Sequence, residues 1–205
     1  MTLPKPYYDK DGITIYNADC RDILPLLEPG SVDLVLTDPP YGCGKADWDA
    51  LFPLQWYGQC RRLGVMIVII TGSAGLKDSV HLVGEDFVDV IAARNLNGMT
   101  RSPIGFGNWL AAVVALGKPR RGPNAFDFVI RGDKPRHPSP KPIEYILKLV
   151  ERISSPGQVI LHPFLGSGTT TRASKNLGRC CIGIEVNEEY CQLAIERLGA
   201  QGVLL

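Results

Sequence analysis

Val159-Ile160-Leu161-His162-Pro163-Phe164-Leu165-Gly166-Ser167-Gly168-Thr169-Thr170 reads as an apolar strand, a glycine-rich turn and the start of a helix. Ile182-Gly183-Ile184-Glu185 follows as a second strand that ends in an acid, 19 residues beyond Gly166. This is the pattern of an open α/β sheet that binds an adenosine-containing cofactor. The glycines let backbone approach the ligand, and the acid at the next strand end can hold both ribose hydroxyls. A dinucleotide-binding turn is the competing reading, since its fingerprint is also Gly-x-Gly-x-x-Gly followed by an acid. Here the third glycine position is Thr171, whose branched side chain obstructs the close helix-to-strand packing that a pyrophosphate turn uses. A turn that merely joins strand to helix leaves the acid at that spacing unexplained.

Working outward, a second apolar run, Val32-Asp33-Leu34-Val35-Leu36-Thr37, ends in Asp38-Pro39-Pro40-Tyr41. Two consecutive prolines fix φ, remove two backbone donors and force the preceding residues into extended conformations. The carbonyls around them are left free to accept. A carboxylate, a bare carbonyl and an aromatic face at the carboxyl end of a strand can hold a planar ring that bears an amino group. Asp-Pro is also a common turn opener and Pro-Pro a common stiff connector, so the strand before them carries the functional reading.

The remaining chain alternates strands and helices. Strands are predicted at Ile13 to Asn17, Val32 to Thr37, Val65 to Thr71, Gln158 to Leu161 and Cys181 to Val186. Phe87 to Arg94 and Leu110 to Leu116 are predicted as an antiparallel edge pair, and Ala125 to Ile130 as a further strand. Helices are predicted at Arg21 to Glu28, Leu51 to Arg62, Leu76 to Val83, Pro142 to Ser154, Thr170 to Leu177 and Glu188 to Leu198. The Pro142 helix is expected to bury Ile143, Ile146, Leu147, Val150 and Ile153.

At 205 residues and 45% apolar content, the chain is large enough for one domain, 1–205, with a full core. Its longest apolar run, Val65 to Ile70, is too short to span a bilayer, and Met1-Thr2-Leu3-Pro4-Lys5 lacks a signal-peptide stretch. A cytoplasmic protein is expected. The six cysteines, at 20, 43, 60, 180, 181 and 191, form no Cys-x-x-Cys pair and have no histidine at ligand spacing, so reduced packed thiols and no metal are expected. Net charge is +1, yet Lys118, Arg120, Arg121, Arg131, Lys134, Arg136 and Lys141 against Asp127 and Asp133 give a local +5 between residues 118 and 141. Such a loop either meets a polyanion or simply solubilises itself.

With both constellations in place, the chain resembles the amino-directed DNA methyltransferases that use S-adenosylmethionine, in the permuted order where the catalytic segment precedes the cofactor segment. Asn17-Ala18-Asp19-Cys20 is similar to the family's segment near the cofactor adenine. Asp38-Pro39-Pro40-Tyr41-Gly42, with Lys45-Ala46-Asp47-Trp48-Asp49, resembles its catalytic segment, and Arg136-His137-Pro138-Ser139-Pro140-Lys141-Pro142 the segment that grips the methionine carboxylate. The resemblance implies a Rossmann-like α/β fold with a mixed seven-stranded sheet and a small target-recognition insert at 95–138.

Further implied are catalytic roles for Asp38, Pro39, Pro40 and Tyr41. The cofactor would be held by Asp19, Cys20, Asp38, Ser139, Lys141, His162, Phe164, Leu165, Gly166, Ser167, Gly168, Thr169 and Glu185. The basic residues other than Lys141 would meet double-stranded DNA. So small an insert is expected to read a short site, or to read it with a second subunit as a homodimer. A flipped adenine, methylated at N6, is the expected substrate. Cytosine N4, an RNA or protein amide, or an inactive binding relative are the alternatives. His162 motivates the last, because it stands where the family usually has an acid; Leu110 likewise follows Trp109 where related chains often have a glutamate. His137 is read as a loop cap and Trp48 as a nucleic-acid contact or a helix anchor.

Overall fold

The structure is a computed structural model and describes residues 2–40, 55–63, 65–72, 75–97, 109–117, 123–130 and 141–199. Tyr41, Cys43, Trp48, Lys118, Arg120, Arg121, Arg131, Lys134, Arg136, His137 and Ser139 lie outside the described residues, as do 51–54 of the second predicted helix.

Among the described residues, nine strands form one mixed sheet. In chain order they are β1 Tyr8–Lys10, β2 Ile13–Asn17, β3 Leu34–Thr37, β4 Met66–Gly72, β5 Phe87–Asn95, β6 Trp109–Ala115, β7 Ala125–Phe128, β8 Val159–His162 and β9 Cys180–Glu185. The helices are α1 Cys20–Ile23, α2 Gln55–Arg62, α3 Leu76–Val83, α4 Ile143–Ile153, α5 Thr169–Asn176 and α6 Glu188–Gly199. The spatial order is β1-β2-β9-β8-β3-β4-β6-β5-β7.

Two strands more than the expected seven are present, and the outermost positions explain them. β1 is short, polar and largely exposed, so it carries no apolar alternation; it is held by antiparallel pairing with β2 across Asp11 and Gly12, both at positive φ. β7 is the opposite edge. The expected pair β5 and β6 is antiparallel, but it is not the edge: β6 inserts between β4 and β5, and β7 runs parallel outside β5. The interval 95–138 therefore contributes two sheet strands.

Helix details also shift for local reasons. The predicted helix from Arg21 is a single α-turn that tightens into a 3₁₀ turn at Leu24–Leu26, where Pro25 lacks the N–H that an α-helix needs. In α4 the buried stripe is Tyr145, Ile146, Leu149, Val150 and Ile153, while Ile143 is exposed and Leu147 only partly covered. Tyr145 turns inward because β7 supplies aromatic partners, Phe126 at 5.8 Å and Phe128 at 5.4 Å between ring centroids.

Alternation along the central strands builds a core on each face. Leu34, Leu36 and Ile160 pack under α4 to α6, whereas Val35 and Leu161 pack with Trp56 and Cys60 of α2. β3 leads through α2 to β4 on one side, and β8 leads through α5 to β9 on the other. The neighbouring pair β3 and β8 is thus the topological switch point, where open α/β sheets bind ligands beyond their strand ends.

Candidate cofactor and catalytic site

Strand register brings the predicted segments to one edge of the sheet. Asn17 lies opposite Glu185, His162 opposite Gly183, and Val35 opposite Leu161 in parallel pairings. The residues just past these strands therefore converge at the carboxyl edge: Asp19 and Cys20 after β2, Asp38 to Pro40 after β3, Phe164 to Gly168 after β8, and Glu185 at the end of β9.

Glu185 is tied down by backbone. Its Oε2 accepts from the Gly166 N–H at 2.7 Å and its Oε1 from the Asn187 N–H at 2.9 Å, while the Leu165 N–H donates to the Ile184 carbonyl at 2.8 Å. Burial raises its carboxyl pKa, a rise that those backbone donors only partly offset. Asn17 adds a cross-link, donating from Nδ2 to the carbonyls of Glu185 and Val186 at 3.0 Å each.

The turn itself needs its glycines. Gly168 has φ +77° at the entry of α5, and a Cβ there would stand 2.5 Å from Ala194 Cβ. A Cβ on Gly183 would meet the Leu165 methyls at 2.7 Å. Thr171, at the third position of the glycine pattern, donates from Oγ1 to the Gly168 carbonyl at 2.8 Å and closes the turn instead of opening it to a pyrophosphate. Leu165 packs on the α4 side of the sheet, and Phe164 on the other, edge-on to the buried Trp56 with centroids 5.6 Å apart.

Ser167 and Thr169 present their hydroxyls to a residue that sequence reading missed. Arg197, in the last turn of α6, donates from Nη1 to Ser167 Oγ at 2.9 Å and to Thr169 Oγ1 at 2.7 Å. Burial lowers the guanidinium pKa. A last-turn arginine is ordinarily a solvated charge, so only the α5–α6 packing reveals this one as the brace of the loop.

Asp19 caps α1: Oδ1 accepts from the Arg21 N–H at 2.8 Å, and the Arg21 guanidinium holds the carboxyl below its usual range. Cys20 beside it is buried, and burial pushes its thiol up to about 12. All five described cysteines are free. Among the described residues, no group of three His, Cys, Asp or Glu could hold a metal, and no helix is long and apolar enough to cross a membrane.

Asp38 and Lys141 meet across 103 residues, Lys141 Nζ donating to Asp38 Oδ2. Resemblance assigns Lys141 to the methionine carboxylate; in the structure its ammonium is on the Asp38 carboxylate. Asp38 Oδ1 is buried without a hydrogen-bond partner among the described residues, as are His162 Nδ1 and the Tyr145 hydroxyl. His162, two residues beyond Ile160, projects to the α4 face of the sheet. Burial first and the Lys141 charge second drive its pKa down to about 3, so the ring is neutral. Tyr145 is raised by burial and by the nearby charge of Asp38.

A carboxylate oxygen without a partner among the described residues, a glycine turn and an acid 19 residues beyond it lie at one switch point, an arrangement suited to a nucleoside cofactor on a Rossmann-like sheet. The DNA methylase family of N6/N4 type matches residues 108–196. The type II methyltransferase M.ScaI of Streptomyces caespitosus is 24% identical over 97% of this chain and 85% of its own. Among solved structures, the M1.HpyAVI–SAM complex superposes with TM-score 0.72 at 28% identity, covering 91% of this chain and all of that one. The cytosine-N4-specific PvuII DNA methyltransferase shares the fold, with TM-score 0.76 at 16% identity over 97% of this chain and 90% of its own. Over residues 108–196 the chain is thus similar to the N6/N4 DNA methylases, and over nearly its whole length to type II methyltransferases.

Proposed function

We propose that this protein transfers the methyl group of S-adenosylmethionine to the exocyclic amino group of a base flipped out of double-stranded DNA, with adenine N6 as the preferred acceptor. One observation carries the reading: Asp38 stands at the switch point beside the glycine turn with a buried oxygen that no other group among the described residues satisfies. The residues present suit the cofactor. The turn from Phe164 to Thr169 offers backbone at close range and Glu185 stands at ribose spacing, while resemblance assigns Asp19 and Cys20 to the adenine and Ser139 to the methionine carboxylate. When bound, S-adenosylmethionine supplies an electrophilic methyl on a sulfonium.

The protein's own task is to make an amino group attack. An exocyclic amine is a poor nucleophile while its lone pair is delocalised into the ring. Asp38 Oδ1 and the Pro39 carbonyl accept its two hydrogens, orient it and favour a pyramidal nitrogen whose lone pair is free. Tyr41 stacks on the extruded base, an interaction worth roughly 1–3 kcal/mol. The neutral state of His162 supports an active enzyme over a degenerate relative, since it adds no positive charge near the sulfonium. Asp at the first catalytic position favours adenine over cytosine N4 by resemblance. Lys118, Arg120, Arg121, Arg131, Lys134 and Arg136 are assigned to the DNA backbone, with 95–138 as the target-reading region.

The test incubates purified protein with methyl-labelled S-adenosylmethionine and separate DNA, RNA and protein pools, then separates N6-methyladenine from N4-methylcytosine. Label in DNA as N6-methyladenine, lost by at least about 100-fold in Asp38→Asn, is the expected result. Full activity in that variant would sink the catalytic assignment.

A further inference from the structure

We infer that Lys141 is a positioning residue for the catalytic carboxylate: it ties down Asp38 Oδ2 so that Oδ1 is the one acceptor left for the substrate amino group. The inference rests on the reading of Asp38 given above and assigns Lys141 a task other than gripping the cofactor.

Lys141 is mounted to do this. It precedes Pro142, which confines the backbone before it, and Pro142 opens α4, which is anchored by the buried Tyr145, Ile146, Leu149 and Val150. Its side chain is 18% exposed and that of Asp38 20%, so the pair is largely withdrawn from solvent. Among the described residues, Asp38 is the only hydrogen-bond partner of the ammonium. The two other polar groups in this cluster do not compete for it. His162 is neutral, and Tyr145 is a buried phenol whose ionisation burial and the Asp38 charge both oppose.

The division of labour between the two carboxylate oxygens follows. A carboxylate with both oxygens free rotates about its Cβ–Cγ bond and presents either oxygen at many angles. With Oδ2 fixed to a lysine on a rigid helix start, the plane of the group is set. The buried Oδ1 then accepts one amino hydrogen, and the Pro39 carbonyl the other. Removal of the ammonium leaves the carboxylate in place but misdirected, and small misplacements of a reacting group cost up to about 100-fold. The loss falls on turnover, because the cofactor turn and Glu185 are untouched.

Lys141→Met and Lys141→Arg test this, with turnover on DNA at saturating S-adenosylmethionine and cofactor Kd by titration calorimetry measured on the same preparations. Lys141→Met is expected to lose about 30- to 100-fold in kcat with Kd within about threefold of wild type. Lys141→Arg, which keeps charge and donors, is expected to recover to within about fivefold. A Kd raised tenfold or more with kcat preserved would overturn the inference and return Lys141 to the methionine carboxylate.

A wild type that labels no nucleic acid would refute the proposed function, and the pairing would still be read by urea unfolding without cofactor. Asp38→Asn, Lys141→Met and the double variant form a cycle in which the second substitution is expected to add little to the first. Fully additive losses would show that the two side chains are uncoupled.

Discussion

His162 supplies a pH dependence that its burial fixes in sign and size. The folded ring titrates at about 3 and an unfolded histidine at 6.5. Between these values the unfolded chain binds a proton that the folded chain excludes, so stability is full above the unfolded pKa and is lost as pH falls below it. From pH 7.5 to 5.0 this one group costs about 2 kcal/mol, since each unit below 6.5 contributes about 1.36 kcal/mol. Urea unfolding of wild type and His162→Gln at both pH values isolates it, because every other ionisable group is common to both proteins. Wild type is expected to lose about 2 kcal/mol more than the variant over that interval, whatever the variant's absolute stability. Parallel losses, or a His162 ring resonance that titrates above pH 5, would refute the neutral ring and with it the support that it lends to the proposed methyl transfer.

Two further outcomes follow from the cofactor turn. Glu185→Gln keeps the shape but cannot accept from both the Gly166 and Asn187 N–H groups, so it is expected to destabilise the cofactor-free protein by about 1–3 kcal/mol in urea unfolding, besides weakening cofactor binding. Unchanged stability would remove Glu185 as the tether of the turn. Gly168→Ala combines a left-handed φ, costing about 1–2 kcal/mol, with overpacking against Ala194, costing about 1–3 kcal/mol. Ala194→Gly in the same chain is expected to recover only part of the loss, because the new methyl still lies 2.8 Å from the Ala194 Cα.

What sequence disclosed was local. The turn at Gly166 to Gly168, the acid at 185 and the strand leading to Asp38 are contiguous signals, and each lies where its pattern predicts. What it did not disclose depends on the order of strands in space. β6 between β4 and β5 is invisible to periodicity, because a strand's alternation reveals which faces are buried and not which neighbours cover its edges. The phase of α4 failed for a similar reason. Ile143 and Leu147 fit the same helical stripe as Ile146 and Val150, and only the aromatic side chains of β7 select Tyr145 and Leu149 instead. Arg197 was hidden because its role is made by a crossing of two helices whose residues lie about thirty positions apart.

The permuted chain order becomes intelligible at the switch point. β3 and β8 are neighbours although more than a hundred residues separate them, so Asp38 and the glycine turn meet regardless of which is made first. A chain that returns to β8 must cross the sheet face immediately before it, and α4 is that crossing. Its first turn therefore opens beside the end of β3, which is where Lys141 finds Asp38. The ion pair thus follows from the topology: the helix that precedes β8 begins at the carboxyl edge of the sheet, and the side chain at its entrance reaches Asp38 just past β3.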